Sequence, residues 1–293
     1  MPTIALPDRT VVTVIGPDAE HFLQNIVTAD LADLPLDVVK PCALLTPQGK
    51  ILFDFLVSRM AGNAFRLDVR ADVADDFMRR LMLYRLRAKA EISKPDQIVV
   101  AASWGPDSSG SQIDSTASHS DSSALRDLRF ADAAVFRRYG GGAAADATQI
   151  DWDRLRIAHG VAESGADYAL GDAFPHDVLL DQNGGIGFKK GCYVGQEVVS
   201  RVQHRGTARR RVLIAKGAAA LPAPFTDVTA AGRTIGALGT VVGNEALAIV
   251  RIDKVKDAMD SATPVFAGDV LLTLAIPPSA RFTFPADASP EDA

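Results

Sequence analysis

One stretch holds more reactive chemistry than any other part of the 293-residue chain. In Lys189-Lys190-Gly191-Cys192-Tyr193-Val194-Gly195-Gln196-Glu197 a thiol follows two ammonium groups, and two glycines open backbone conformations closed to other residues. Gln196-Glu197-Val198-Val199 reads as the first turn of a helix, so a Cys192 at that turn meets the positive end of the helix dipole as well as Lys189 and Lys190. All of these favour the thiolate, the form of cysteine that acts as a nucleophile or binds a metal. A thiol of pKa about 8.5 is a few per cent ionised near neutrality, whereas one near 7 is about half ionised. A buried cysteine packed as a small hydrophobe is the competing reading, and the residues leave both open.

The elements that must position this loop can be read from the chain around it. Residues 10–15 (TVVTVI) are β-branched and bounded by Pro7-Asp8 and Gly16-Pro17, which reads as a strand. Residues 18–26 place Phe22, Leu23 and Ile26 on a helical period. Strands are expected over 38–45, 51–57 and 64–69. A helix follows over 73–86, with Phe77, Leu81, Met82 and Leu86 as its apolar face, and then a strand over 88–92. Residues 103–123 are crowded with Ser, Gly, Asp and Thr and read as a flexible loop, with Gly140-Gly141-Gly142 as a second loose point. A helix is expected over 151–159. Short apolar runs at 212–214, 234–236, 239–242, 246–250 and 270–276, separated by Gly and Pro, read as a small antiparallel barrel.

Bulk properties narrow the function classes. The net charge of -5 argues against a general nucleic-acid coat, so any anionic ligand must meet a local basic patch. Such a patch is available in Lys189, Lys190, Arg201, His204, Arg205 and Arg209-Arg210-Arg211, although a solvated face is the better reading of the triple arginine alone. The two cysteines, Cys42 and Cys192, lie in no paired motif, which fits a reducing compartment. The five histidines show no metal-ligand spacing, so no resident metal is expected. No apolar run approaches membrane-spanning length. The expectation is a soluble, cytoplasmic monomer without membrane or direct nucleic-acid partners.

The segment Lys190-Gly191-Cys192-Tyr193-Val194-Gly195-Gln196-Glu197 resembles the K-G-C-Y-x-G-Q-E signature of the YgfZ family, relatives of the glycine-cleavage T-protein (GcvT). The likeness extends to Gly16 through Asn25, Thr28-Ala29-Asp30, the Gln48-Gly49-Lys50 turn, Tyr84-Arg85-Leu86-Arg87 and Gly184-Gly185-Ile186-Gly187-Phe188. It implies an α+β fold of several subdomains: a discontinuous folate-binding region over 1–95 and 149–207, a middle subdomain over 96–148, and a C-terminal antiparallel β-barrel over 208–286. It also implies tetrahydrofolate, or a one-carbon derivative, as ligand. The residues it points to for that ligand are Trp152, Arg9, Lys189, Tyr193, Gln196, Glu197 and Arg201, with Cys192 and Lys190 as the reactive pair. Trp152 reads equally well as a core aromatic on an amphipathic helix.

The function implied is support for the assembly or repair of iron-sulfur clusters in client enzymes, tRNA-modifying ones included, with iron-sulfur client or assembly proteins as partners. The alternative is a folate-dependent one-carbon transferase of the GcvT type. Against it, Phe53 stands where the transferase pattern has an aspartate, and Ala158 stands where it has a pterin-binding carboxylate. Neither a phenyl ring nor a methyl group can move a proton or stabilise an iminium charge.

Overall fold

The computed structural model describes residues 1–96, 98–105, 124–140 and 145–285. Most of the Ser-rich stretch (106–123) and Gly141-Gly142 lie outside the described residues. The chain divides into two compact units. The first comprises Met1–Gln48, Leu52–Gln149 and Asn183–Gln196, and the second comprises Gly49–Ile51, Ile150–Gln182 and Glu197–Ala293.

The first unit runs β1 (Thr3–Ala5), β2 (Arg9–Ile15), α1 (Ala19–Gln24), β3 (Val38–Leu45), β4 (Ile51–Met60), β5 (Ala64–Arg70), α2 (Ala74–Arg85), β6 (Glu91–Ser93), β7 (Val100–Gly105), β8 (Leu125–Asp127) and β9 (Ala134–Tyr139). These strands form one nine-stranded sheet in the order β1-β7-β9-β8-β3-β4-β5-β2-β6, mostly antiparallel, with β3 and β8 parallel. Val11, Val12 and Val14 of β2 are all fully buried, so both faces of that strand are covered and its sequence shows no alternation.

On α2, Ala74, Phe77 and Leu81 form the buried stripe. Met82 and Leu86, expected on the same face, are exposed: Met82 is about 100° round the helix from Leu81, and Leu86 lies past the helix end with φ +47°. Ser103 to Gly105, expected in the flexible loop, belong to β7 because Ser103 pairs with Phe136 and Trp104 with Val135. The described part of 96–148 thus contributes β7, β8 and β9 to the main sheet. Two buried carboxylates here are compensated by cations. Asp68 accepts from Arg9 Nε at 2.7 Å and from the Tyr139 hydroxyl at 3.0 Å, while Asp127 pairs with Arg129 at 2.8 Å and Arg137 at 3.3 Å.

The second unit holds α3 (Gln149–His159), α4 (Gln196–Arg205), β10 (Arg210–Gly217), β11 (Asp227–Ala230), β12 (Arg233–Val242), β13 (Glu245–Arg251), α5 (Ile252–Asp260), β14 (Val265–Ala267) and β15 (Val270–Ala275). Its six strands close into an antiparallel barrel, β10-β13-β12-β11-β14-β15, with β15 returning to β10. Leu213, Val228, Leu238, Ala248 and Leu272 fill its core, and α5 turns Ile252, Val255 and Ala258 inward. Residues 234–236 and 239–242, expected as separate strands, are one strand whose register shifts between Leu238 and Val241; the glycine at 239 marks a bulge, not an end.

The buried Arg156 of α3 ties this unit together. It donates to Asp167 at 2.7 Å, to Asp153 at 2.9 Å and to the Thr240 hydroxyl of β12 at 2.7 Å. Burial opposes its charge, but Glu163, Asp167 and Asp153 outweigh it and push the guanidinium pKa up.

Candidate functional site

The thiol loop is pinned to the segment between α1 and β3, inside the first unit. The Gly187 N–H donates to the Thr28 carbonyl at 2.8 Å. A Cβ at Gly187 would lie 2.8 Å from Lys190 Cδ and 2.9 Å from Asp30 Cβ, so only glycine lets the Lys190 stem pass. Lys190 then reaches the backbone: its Nζ donates to the Val27 and Ala29 carbonyls, both at 2.7 Å. Its ammonium also sits 5.3 Å from the centre of the Tyr193 ring.

Lys190 is 9% exposed, and burial brings its pKa down to about 8, with Cys42 and Asp30 acting in the opposite direction. The Asp30 carboxyl is held low, first by a hydrogen bond from Gln24. Burial pushes the Cys42 thiol up, opposed by the Ala29 backbone and by Lys190. Burial likewise raises the Tyr193 hydroxyl to about 12.

Lys190 and Tyr193 both point inward, and between them Gly191 and Cys192 are exposed. The exit from the loop is equally defined. The Gln196 N–H donates to the Tyr193 carbonyl at 3.2 Å, and the Tyr193 N–H donates back to Gln196 Oε1 at 3.3 Å. Gly195 takes φ +79° within that turn. Two buried anchors and one turn therefore hold a free thiol against solvent, with α4 starting four residues later.

This changes the part assigned to Lys190. Its ammonium is committed to two backbone carbonyls, and its charge partly opposes the burial that pushes the Cys42 thiol up. It is a loop anchor. Lys189, by contrast, is exposed.

The residues expected to hold tetrahydrofolate belong to both units. Trp152 is 1% exposed on the buried face of α3, and Arg9 is bound to Asp68 in the interior of the sheet. Glu197 and Arg201 pair with each other on α4 at 2.7 Å, which is ordinary i,i+4 helix stabilisation. Gln196 and Tyr193 complete the turn. Phe53 packs its ring 5.3 Å from that of Phe77 in an apolar cluster, and Ala158 is exposed.

Sequence reasoning missed Cys42, Gln24 and the Arg156–Asp167 pair as parts of these arrangements. The sequence signal for the first two was Thr28-Ala29-Asp30, the segment on which the loop docks. Among the described residues no group of His, Cys, Asp and Glu could hold a metal ion, and no helix is long and apolar enough to cross a membrane.

A nine-stranded sheet followed by a closed six-stranded barrel defines a GcvT-like protein. The structure superposes on the crystal structure of glycine cleavage system aminomethyltransferase T from Bartonella henselae with a TM-score of 0.72, covering 95% of this chain and 86% of that one. At 18% identity this likeness concerns the fold. Residues 9–139 match the family described as the GCVT N-terminal domain, and residues 209–282 match the CAF17 C-terminal beta-barrel domain. The tRNA-modifying protein YgfZ of Edwardsiella ictaluri is 31% identical over 238 residues, covering 73% of this chain and 70% of that protein. The chain belongs to the YgfZ family, in the superfamily shared with IBA57.

The iron-sulfur cluster assembly factor IBA57, mitochondrial, of Homo sapiens is 29% identical, covering 86% of this chain and 78% of that one. The match to the IBA57 homologue of Chaetomium globosum, 29% identical over 71% of this chain, spans about half of that longer protein, 54%. These relatives correct the expectation of a cytoplasmic protein, because the IBA57 proteins are mitochondrial. Unpaired cysteines indicate a reducing compartment without distinguishing one such compartment from another.

Proposed function

We propose that the protein is an accessory factor in iron-sulfur cluster assembly, and that Cys192 is the group through which it engages a client or assembly partner. Membership of a superfamily that includes the iron-sulfur cluster assembly factors named IBA57 supports the process. One observation carries the residue: Cys192 is exposed at the crest of a loop whose neighbours Lys190 and Tyr193 are both buried. A fold that needed the sulfur only for packing would turn it inward, as it does Cys42. The exposed thiol offers one soft ligand, and a cluster is its cargo, held in part by the partner.

The test is complementation of cells lacking this protein. Wild type restores the activity of a cluster-dependent enzyme, Cys192→Ala fails to do so at equal protein abundance, and a cluster-free enzyme is indifferent to both. Full restoration by Cys192→Ala overturns the assignment.

We extend the proposal to tetrahydrofolate on the strength of the GcvT-type domain alone. Calorimetric titration of the wild-type protein is expected to show saturable binding. Absence of binding removes folate from the reading and leaves the thiol assignment standing. A one-carbon transferase is disfavoured, because Phe53 contributes an apolar ring to the core and Ala158 no carboxylate.

A further inference from the structure

The second unit contains a cavity of about 630 Å³, within the range of small-molecule sites, between the loop before residue 182, α4, the start of β10, the start of α5 and residues 282–285. Its wall includes two buried polar side chains with unused capacity. His176 is 1% exposed and Arg211 is 6% exposed. His176 Nδ1 and Arg211 Nε have no hydrogen-bond partner among the described residues. Leaving such groups buried and unmet is unfavourable.

The rest of each side chain is well tethered. His176 Nε2 lies 3.2 Å from Gln203 Oε1, and one Arg211 terminal nitrogen donates to Asp181 at 2.6 Å and to the His176 carbonyl at 2.9 Å. The Arg211 guanidinium also lies 4.9 Å from the centre of the Phe282 ring. Both orphan nitrogens are thus carried by side chains fixed in place.

The charge of the wall gives the class of ligand. The chain carries a net -5, yet this cavity is lined by five cations (Arg205, Arg209, Arg211, Arg251 and Lys254) against Asp181 and Asp253, and with Lys254 paired to Asp257 at 2.8 Å the excess is two positive charges. The two carboxylates are already engaged, Asp181 by Arg211 and Asp253 by Arg251 at 2.6 Å. Guanidinium groups in a partly desolvated pocket recognise multi-oxygen anions through charge-assisted hydrogen bonds, and a flanking ring accommodates an organic substituent.

We propose that this cavity binds a small phosphate-bearing anion, with Arg211 Nε as the buried donor, the His176 carbonyl holding that guanidinium in place and Arg205 at the exposed rim. The site is independent of the thiol loop and involves none of its residues.

Calorimetric or NMR titration of the intact protein with inorganic phosphate and with sulfate, at matched ionic strength in chloride, tests it. Saturable binding of both probes is expected. Arg211→Lys keeps the charge but removes the Nε–H, and should weaken binding about tenfold. Arg205→Ala, an exposed replacement that the fold tolerates, should weaken it several-fold and keeps the test valid if the buried variant does not fold. Absence of saturation by either probe, or wild-type affinity in Arg205→Ala, overturns the proposal. So does tighter binding of tricarballylate than of phosphate, which would reassign the cavity to a polycarboxylate.

Discussion

Replacing Lys190 with methionine separates anchoring from charge. The substitution removes two charge-assisted hydrogen bonds, to the Val27 and Ala29 carbonyls, together worth about 3–6 kcal/mol. It also removes the burial penalty expressed in the fall of the Lys190 pKa from 10.5 to about 8, roughly 3 kcal/mol. The two effects largely offset each other, so global stability should fall by no more than about 3 kcal/mol. The local result is different, because nothing in methionine holds loop 187–193 onto Thr28-Ala29-Asp30. Cys42, which is 1% exposed and senses both Lys190 and Tyr193, should then become reachable. The assay is timed alkylation read by mass spectrometry, with hydrogen exchange at the Gly187 amide alongside. Wild type should modify Cys192 quickly and Cys42 only on global opening, whereas Lys190→Met should speed Cys42 labelling at least about tenfold, equivalent to about 1.4 kcal/mol of local opening. A Cys42 that stays protected, with Gly187 exchange unchanged, would refute the anchoring role.

Other consequences can be measured by denaturant titration. Arg156→Met leaves Asp167 buried without its cation and should cost about 3–5 kcal/mol. Phe53→Asp restores a carboxylate in name only: it sets a charge beside Phe77 in a site 7% exposed, and should destabilise by several kcal/mol without conferring aminomethyl transfer. Burial raises the Asp177 pKa from 3.8 to about 6, so the folded state holds an extra proton between those values. The sign is that Asp177 supports folding below about pH 4 and that this contribution is lost as pH rises through 6, amounting to about 3 kcal/mol. Asp177→Asn should remove that slope; an unchanged pH dependence would contradict the burial assignment.

The residues that announced themselves in the sequence were those whose role is local. The strand at 10–15, the helices at 18–26 and 151–159 and the start of α4 follow from periodicity and punctuation, and the structure carries all of them. What escaped were roles set by distant neighbours. Residues 103–105 look like loop in composition and become strand because β9 lies beside them. α5 shows Ile252, Val255 and Ala258 on a helical period, but at nine residues it was hidden between two barrel strands. Lys190 illustrates the point most sharply for the site. Adjacency to Cys192 along the chain invited an electrostatic reading, while the folded chain spends its ammonium on carbonyls more than 160 residues earlier. The exposed thiol was one of two open readings, and only coordinates separate it from the buried one.

The central claim is that of the two thiols the exposed one acts. It is tested most directly by cluster insertion into an apo client enzyme with purified components, comparing Cys192→Ser with Cys42→Ser. Loss of stimulation in Cys192→Ser, with stimulation retained in Cys42→Ser, is the predicted result. Equal activity of Cys192→Ser and wild type would contradict the account.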